Sequence, residues 1–226
     1  MVQHCPPEDL LLEYAAGTLP EPLAVLVASQ MTLAPETRRE VARLEALGGA
    51  LLDELPPATL SADALDNVLA RLDETSETRP AEARPTETVV TQPSPGSEAA
   101  RLPAPLRAYL DHTLTALPWR RRSASVAEYE LLRAYPGFQT RLLRIRPGGR
   151  VPAHTHEGQE FTLVLEGAFS DETGRYARGD LAVASPEITH QPVAEDRETC
   201  ICLAVTDAPL KMTGPLGRLL NRFVDI

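Results

Sequence analysis

Gly148-Gly149-Arg150-Val151-Pro152-Ala153-His154-Thr155-His156-Glu157-Gly158-Gln159-Glu160-Phe161-Thr162-Leu163-Val164-Leu165-Glu166-Gly167 sets two histidines two residues apart and a glutamate four residues beyond the second. On an extended strand, side chains two apart leave the same face, so His154 and His156 can reach one ion. A turn or bulge at Gly158 re-aims the chain so that Glu160 joins them. Phe161 to Leu165 is an apolar run of strand length. Further on, Gly179-Asp180-Leu181-Ala182-Val183-Ala184-Ser185-Pro186-Glu187-Ile188-Thr189-His190 ends in a third histidine, expected from a separate strand. An HxH pair alone is more often two solvated histidines. With Glu160, the flanking glycines and His190 beside it, the pattern reads as a metal site built on strands. Three neutral imidazoles and one carboxylate suit Zn, Fe, Mn, Ni or Cu, and residue types alone do not choose among them.

Working outward, the 226 residues hold either two small domains or one large one, and 43% apolar content is enough for a packed core. No segment offers the roughly 18 consecutive apolar residues of a membrane span, and no basic segment precedes an apolar N-terminal run. The expectation is a cytoplasmic protein without membrane contact. Three cysteines do not suggest a disulfide framework. Cys200 and Cys202 read as small hydrophobes on one face of a strand, and Cys5 as the accessible thiol. A net charge of −10 argues against direct nucleic-acid binding, because phosphate affinity comes largely from Lys and Arg. Residues 1–73 carry twelve Asp or Glu against four Arg, which favours a partner with basic surfaces. Arg120-Arg121-Arg122 reads as a solvated turn.

The chain divides into three pieces. Over residues 1–73 the punctuation is helical: a helix starts at Pro6-Pro7-Glu8-Asp9 and stops at Gly17. A second runs from Pro20–Pro22 to before Pro35, with Leu23, Leu26, Val27 and Met31 on one stripe. A third, from Glu36 to about Leu55, aligns Val41, Leu44, Gly48, Leu51 and Leu55 and ends at Pro56-Pro57. A fourth follows Ser61 as N-cap and carries Leu65, Val68, Leu69 and Leu72. So small a helical bundle buries little surface and calls for a staple or a partner. Residues 74–100, rich in Glu, Thr, Ser and Pro, have linker composition with a reach of about 30 Å, letting the flanking domains move semi-independently. From 101 to 226 a short helix around Leu106–Leu114 precedes closely spaced strands broken by Gly and Pro, the rhythm of a β-sandwich or barrel. A last helix is expected over Leu216–Phe223.

The spacing of His154, His156 and Glu160 resembles the first motif of the cupin superfamily, whose barrels hold a metal through these residue types. The second motif is matched at Gly179, Pro186 and His190, with Ile188 where it usually has Gly. An acidic four-helix module, a linker and a cupin together resemble the ChrR family of anti-sigma factors over nearly the whole chain. Asp9-Leu10-Leu11-Leu12-Glu13-Tyr14-Ala15-Ala16-Gly17, Leu44-Glu45-Ala46-Leu47-Gly48-Gly49-Ala50-Leu51-Leu52 and the cupin ligands carry the likeness. It implies a multi-domain α + β protein: a small helical bundle that grips an extracytoplasmic-function sigma factor, and a cupin β-barrel (double-stranded β-helix). It further implies one divalent metal, zinc first with iron, manganese or nickel as alternatives, held by His154, His156, Glu160 and His190. The cupin is expected to sense an oxidative signal such as singlet oxygen, or a small molecule; cupins often pair through barrel edges, so a homodimer is possible and the oligomeric state stays open.

The family's helical domain usually holds zinc through an early His and a later His-x3-Cys-x2-Cys. Here the early residue is His4, but the later positions are Gln30, Ala34 and Thr37. One imidazole, even with Cys5, does not make a four-ligand site, so no zinc is expected there and His4 reads as a solvated terminal residue. The rival reading is a cupin dioxygenase-like metalloenzyme acting on a small molecule, with Gln159, Tyr176 and Gln191 as candidate neighbours of the pocket.

Overall fold

The computed structural model describes residues 2–77, 101–208 and 210–212. Proline and glycine set the first helices. α1 (Glu8–Ala15) follows Pro7, carries Glu8 and Asp9 in its first turn, and stops at Gly17. α2 (Glu21–Leu33) begins after Pro20, and Ala34 is driven extended (φ −124°) because Pro35 follows it. Pro35 then opens α3 (Pro35–Asp53) at a position where its missing N–H costs nothing. α4 (Ala64–Glu77) starts after Asp63 rather than after Ser61: the Asp63 carboxylate accepts from Asn67 Nδ2 (2.9 Å), and Ser61 lies a turn outside. It runs four residues beyond the boundary expected at residue 73. Residues 78–100 of the expected linker and the expected helix at Leu216–Phe223 lie outside the described residues. α5 (Ala104–Arg107) is much shorter than expected. The chain turns after Arg107, and the Leu114 carbonyl is taken by the Trp119 indole N–H (2.7 Å).

Eleven strands are described: β1 (Arg120–Arg121), β2 (Val126–Leu131), β3 (Gln139–Ile145), β4 (His154–His156), β5 (Glu160–Glu166), β6 (Ala168–Ser170), β7 (Arg175–Ala177), β8 (Leu181–Ala184), β9 (Val193–Ala194), β10 (Cys200–Thr206) and β11 (Leu210–Met212). Six form one antiparallel sheet in the order β1-β2-β3-β10-β5-β8. The others form a β11-β4 pair and a β7-β6-β9 sheet. The fold is cupin-like, antiparallel sheets preceded by helices. Register decides what each face of the large sheet does, since residues opposite one another share a face. Leu142, Leu203, Leu163 and Leu181 lie in one row across β3, β10, β5 and β8; Arg141, Ala204, Thr162 and Ala182 form the adjacent row on the opposite face.

The leucine face packs against Leu10 and Leu11 of α1, Leu26 of α2 and Leu106 of α5 in one apolar cluster. The other face is covered partly by Phe169 and Tyr176 of the small sheet, which join Val126, Ile145, Val164 and Cys202. With both faces covered, all seven residues of β10 are buried, so no alternation shows in its sequence. Each fully buried leucine on the shared face is worth about 1.5–3 kcal/mol. Helices α1, α2 and α5 thus share a core with the large sheet.

The N-terminal strap adds to that tie. Asp180 Oδ1 accepts from the amides of Gln3 (2.5 Å) and His4 (2.9 Å), and the Leu181 amide donates to the His4 carbonyl (2.9 Å). Gly179 permits this approach with φ +91°, since a Cβ there would stand 2.8 Å from Val2 Cγ2. His4 is thus not a solvated terminal residue. Its ring lies 4.6 Å from that of Tyr176 because the strap is hydrogen-bonded to the sheet beneath it.

Candidate metal centre

The four sequence-predicted residues come together, and all are buried. β4 presents His154 and His156 on one face, as period two requires. After His156 the chain bends rather than bulging within a continuous ladder, and β5 begins at Glu160. The bend needs glycine at 158, where a Cβ would fall 1.9 Å from Asp207 Oδ1, the acceptor of the Gln159 amide (2.6 Å). His190 faces His154 across a reciprocal backbone pair, each amide donating to the other's carbonyl at 3.1 Å. The Ile188 position does not disturb this. Ser185–Ile188 is a turn closed by the Ile188 amide on the Ser185 carbonyl (3.0 Å), and Ile188 takes its last position without positive φ.

One atom of each side chain converges, all within 4.8 Å of one another. The Nε2 atoms of His154 and His156 each lie 3.1 Å from His190 Nε2, and Glu160 Oε2 is 3.4 Å from His156 Nε2 and 3.7 Å from His190 Nε2. Tetrahedral ligands at about 2.1 Å from one ion stand about 3.4 Å apart, so this spacing fits one ion. Tautomers supply a second test. The Pro152 carbonyl only accepts, so His154 Nδ1 carries the hydrogen it donates there (2.8 Å), and its Nε2 lone pair points inward. His190 Nδ1 donates to Asp171 Oδ2 (2.9 Å), with the same result. Two lone pairs 3.1 Å apart repel unless a positive species lies between them. One proton satisfies a single pair, whereas one divalent cation satisfies all four groups. This buried group of three histidines and a glutamate can hold a metal.

Burial pushes the His154 imidazole below its usual range, and burial likewise takes His156 to about 4, leaving both neutral and ready to ligate near pH 7. For His190 burial pulls the same way, but the Asp171 hydrogen bond and the Glu160 charge outweigh it and raise the value. Burial would lift the Asp171 carboxyl; hydrogen bonds from His190 and Thr173 overcome that and hold it at about 2. Asp171 was not singled out in the sequence, where it is one of two adjacent acids in the turn between β6 and β7.

Beside the ligands lies a cavity of about 330 Å³, lined by His154, Glu160 and His190, by apolar side chains, and by Arg122, Glu128 and Arg141. Arg120–Arg122 is therefore not a solvated turn: two of the three form β1, and Arg122 reaches Glu128 at 2.6 Å. Gln159, Tyr176 and Gln191 do not line the cavity. Tyr176 stacks on Phe169, and the amides of Gln159 and Gln191 bind Asp207 and Glu172. Cys5 is exposed as expected, and Cys200 and Cys202 are buried with their sulfurs 3.5 Å apart. Their mutual hydrogen bond and burial raise the Cys202 thiol well above its usual value. At the helical positions, Gln30 is buried and gives its Nε2 to the Gly179 carbonyl (3.2 Å); Ala34 and Thr37 are buried beside it. Among the described residues no helix is long and apolar enough to cross a membrane.

A family model described as the ChrR cupin-like domain matches residues 111–209. The chain is 40% identical over 225 residues, all of its own length and 99% of the other's, to the Anti-sigma-E factor ChrR of Cereibacter sphaeroides. It is also similar, with a TM-score of 0.74 and 38% identity over 91% of this chain and 99% of the other, to a chain in the crystal structure of Rhodobacter sphaeroides SigE in complex with the anti-sigma ChrR.

Proposed function

The chain belongs to the ChrR family of anti-sigma factors, and on that premise we propose that it binds and inhibits an extracytoplasmic-function sigma factor in the cytoplasm, releasing it when the cupin senses a signal. The observation that carries this reading is the row of apolar side chains left uncovered on α3 and α4. Leu47, Leu51 and Leu52 of α3, with Leu55 just beyond its end, are 56–69% exposed, and Leu65, Val68, Leu69 and Leu72 of α4 are 50–70% exposed. Uncovered leucines in this number mark a surface made for a protein partner. The acid excess of residues 1–73 suits a partner with basic surfaces and repels nucleic acid.

In this reading residues 1–73 form the sigma-binding helical bundle, whose α4 runs on to Glu77, the remainder of 74–100 is the linker, and 101–226 a cupin whose sheets close as a double-stranded β-helix barrel. His154, His156, Glu160 and His190 hold one divalent metal, zinc first, which supplies a Lewis-acid centre joining β4, β5 and the His190 segment. The helical bundle holds no zinc, because Gln30, Ala34 and Thr37 offer neither imidazole nor thiolate. Release follows from the shared sheet. Thr162 and Cys202 line the cavity, while Leu163 and Leu203 beside them support the helices. A change in front of the sheet thus reaches the sigma-binding helices through one layer of backbone. Coupling of about 1–3 kcal/mol, roughly 5- to 150-fold in affinity, is the usual scale for such linkage.

Co-expression of the full chain with the sigma factor encoded beside it tests the reading. A one-to-one complex that loses core-polymerase binding is expected. Failure to co-purify, or dioxygen consumption with small-molecule substrates, turns the assignment toward the enzyme.

A further inference from the structure

Resting on the metal reading above, we propose that the cavity in front of the large sheet binds a small monocarboxylate with an apolar body, its carboxylate held by Arg141. This side chain is buried at the centre of the sheet, yet among the described residues its Nε has no hydrogen-bond partner. Glu128 Oε2 stands 3.8 Å from Arg141 Nη1, an ion pair too long for a hydrogen bond, while the other oxygen, Oε1, is engaged by Arg122 at 2.6 Å. A buried donor of this strength without an acceptor is uncommon, and a guanidinium edge matches a carboxylate in two parallel bonds. The cavity's charged lining points the same way. Two arginines face three acids, Glu128, Glu160 and Asp171, so a bound divalent ion leaves one positive charge in excess. A monoanion balances it.

Size and walls select an organic acid rather than an inorganic anion. About 330 Å³ falls in the range of small-ligand sites, roughly 300–1,000 Å³, and far exceeds what one phosphate fills. Apart from Arg141 the wall includes the apolar side chains of Val126, Leu143, Ile145, Val151 and Phe169. Strand β8 lines the cavity with the small residues Ala182 and Ala184, which helps leave the space open. This assigns the sensing cavity an effector class, entering on the face whose reverse carries the helices.

The probe is octanoate, titrated into the zinc-loaded full chain by calorimetry and thermal shift, with octan-1-ol and octylamine as neutral and cationic controls. Saturable one-to-one binding of octanoate is expected, at least about tenfold tighter than octan-1-ol, with octylamine silent. Arg141→Gln should weaken octanoate by about 10- to 100-fold while sparing octan-1-ol and metal content. Ala182→Leu fills the cavity without touching a charged group, and should abolish uptake of both even where the Arg141 variant folds poorly. Equal binding of octanoate and octan-1-ol, or octanoate binding indifferent to both substitutions, refutes the site. Elemental analysis of the same samples separates the failures. Metal present with no octanoate binding removes this proposal alone; metal absent removes the metal reading, and this proposal with it.

Discussion

Replacing Asp171 by Asn should cost the metal centre more than one hydrogen bond, because the carboxylate does two jobs. Oδ1 caps the following turn, accepting from the Thr173 amide (2.8 Å), the Thr173 hydroxyl (2.6 Å) and the Gly174 amide (3.2 Å). Oδ2 accepts from His190 Nδ1 at 2.9 Å and so keeps the Nε2 lone pair aimed at the ion. Asparagine preserves the turn through its carbonyl but presents an NH₂ group to His190. The imidazole must then accept at Nδ1 and carry its hydrogen on Nε2, pointing into the cluster. Loss of such an orienting partner typically weakens metal binding about 10- to 100-fold, or about 1.4–2.7 kcal/mol. Competition against a chromophoric zinc chelator reads this directly, with apo-protein melting as the control for folding. Wild-type zinc affinity in the Asn variant would refute the tautomer argument, and a lower apo melting temperature would show that the turn, not the imidazole, had been damaged.

Further outcomes follow from the same structure. In metal-free protein, acidification from about pH 6.5 to 4 should lower the melting temperature: protons that the unfolded chain takes up at ordinary histidine values are refused by His154 and by His156, held at about 4. His190, whose value is raised, opposes part of this. His156→Gln should flatten the acid limb in melts taken across that range, and an unchanged limb in the variant contradicts the assignment. Leu203→Ala, on the row joining sheet to helices and wholly buried, should cost about 2–5 kcal/mol in urea unfolding; a loss under 1 kcal/mol would mean that the shared core contributes little. Leu51→Asp with Leu69→Asp, both sites at least half exposed, should abolish sigma co-purification with no fall in melting temperature, and retained binding would move the interface elsewhere.

The sequence read well where the chain punctuates itself. Pro7, Gly17, Pro20 and Pro35 bound the first helices by restricting the backbone, which holds whatever packs around them. The metal ligands were legible because period two puts His154 and His156 on one face and Gly158 bends the chain toward Glu160. Three kinds of information were not local. Arg122, Glu128 and Arg141 meet from different segments, and an arginine within a strand reads as outward-facing until the opposite face proves to be covered as well. Asp171 earns its role through a residue nineteen positions away. The stripes of α3 and α4 carry correct helical periodicity, but periodicity alone does not distinguish burial in the chain's own core from burial against another chain. The helix expected to reach Leu114 stops short at α5, where the Tyr109 and Leu110 amides turn back to the Leu106 and Arg107 carbonyls (3.1 Å each) and tighten the chain into turns.

The most direct test is elemental analysis of the full-length chain and its Glu160→Ala and His156→Ala variants, each co-purified with the sigma factor. The account predicts one divalent metal per wild-type chain, none in either variant, and sigma still bound by all three. Equal metal in the variants, or wild-type protein that binds sigma without any metal under replete conditions, would contradict it.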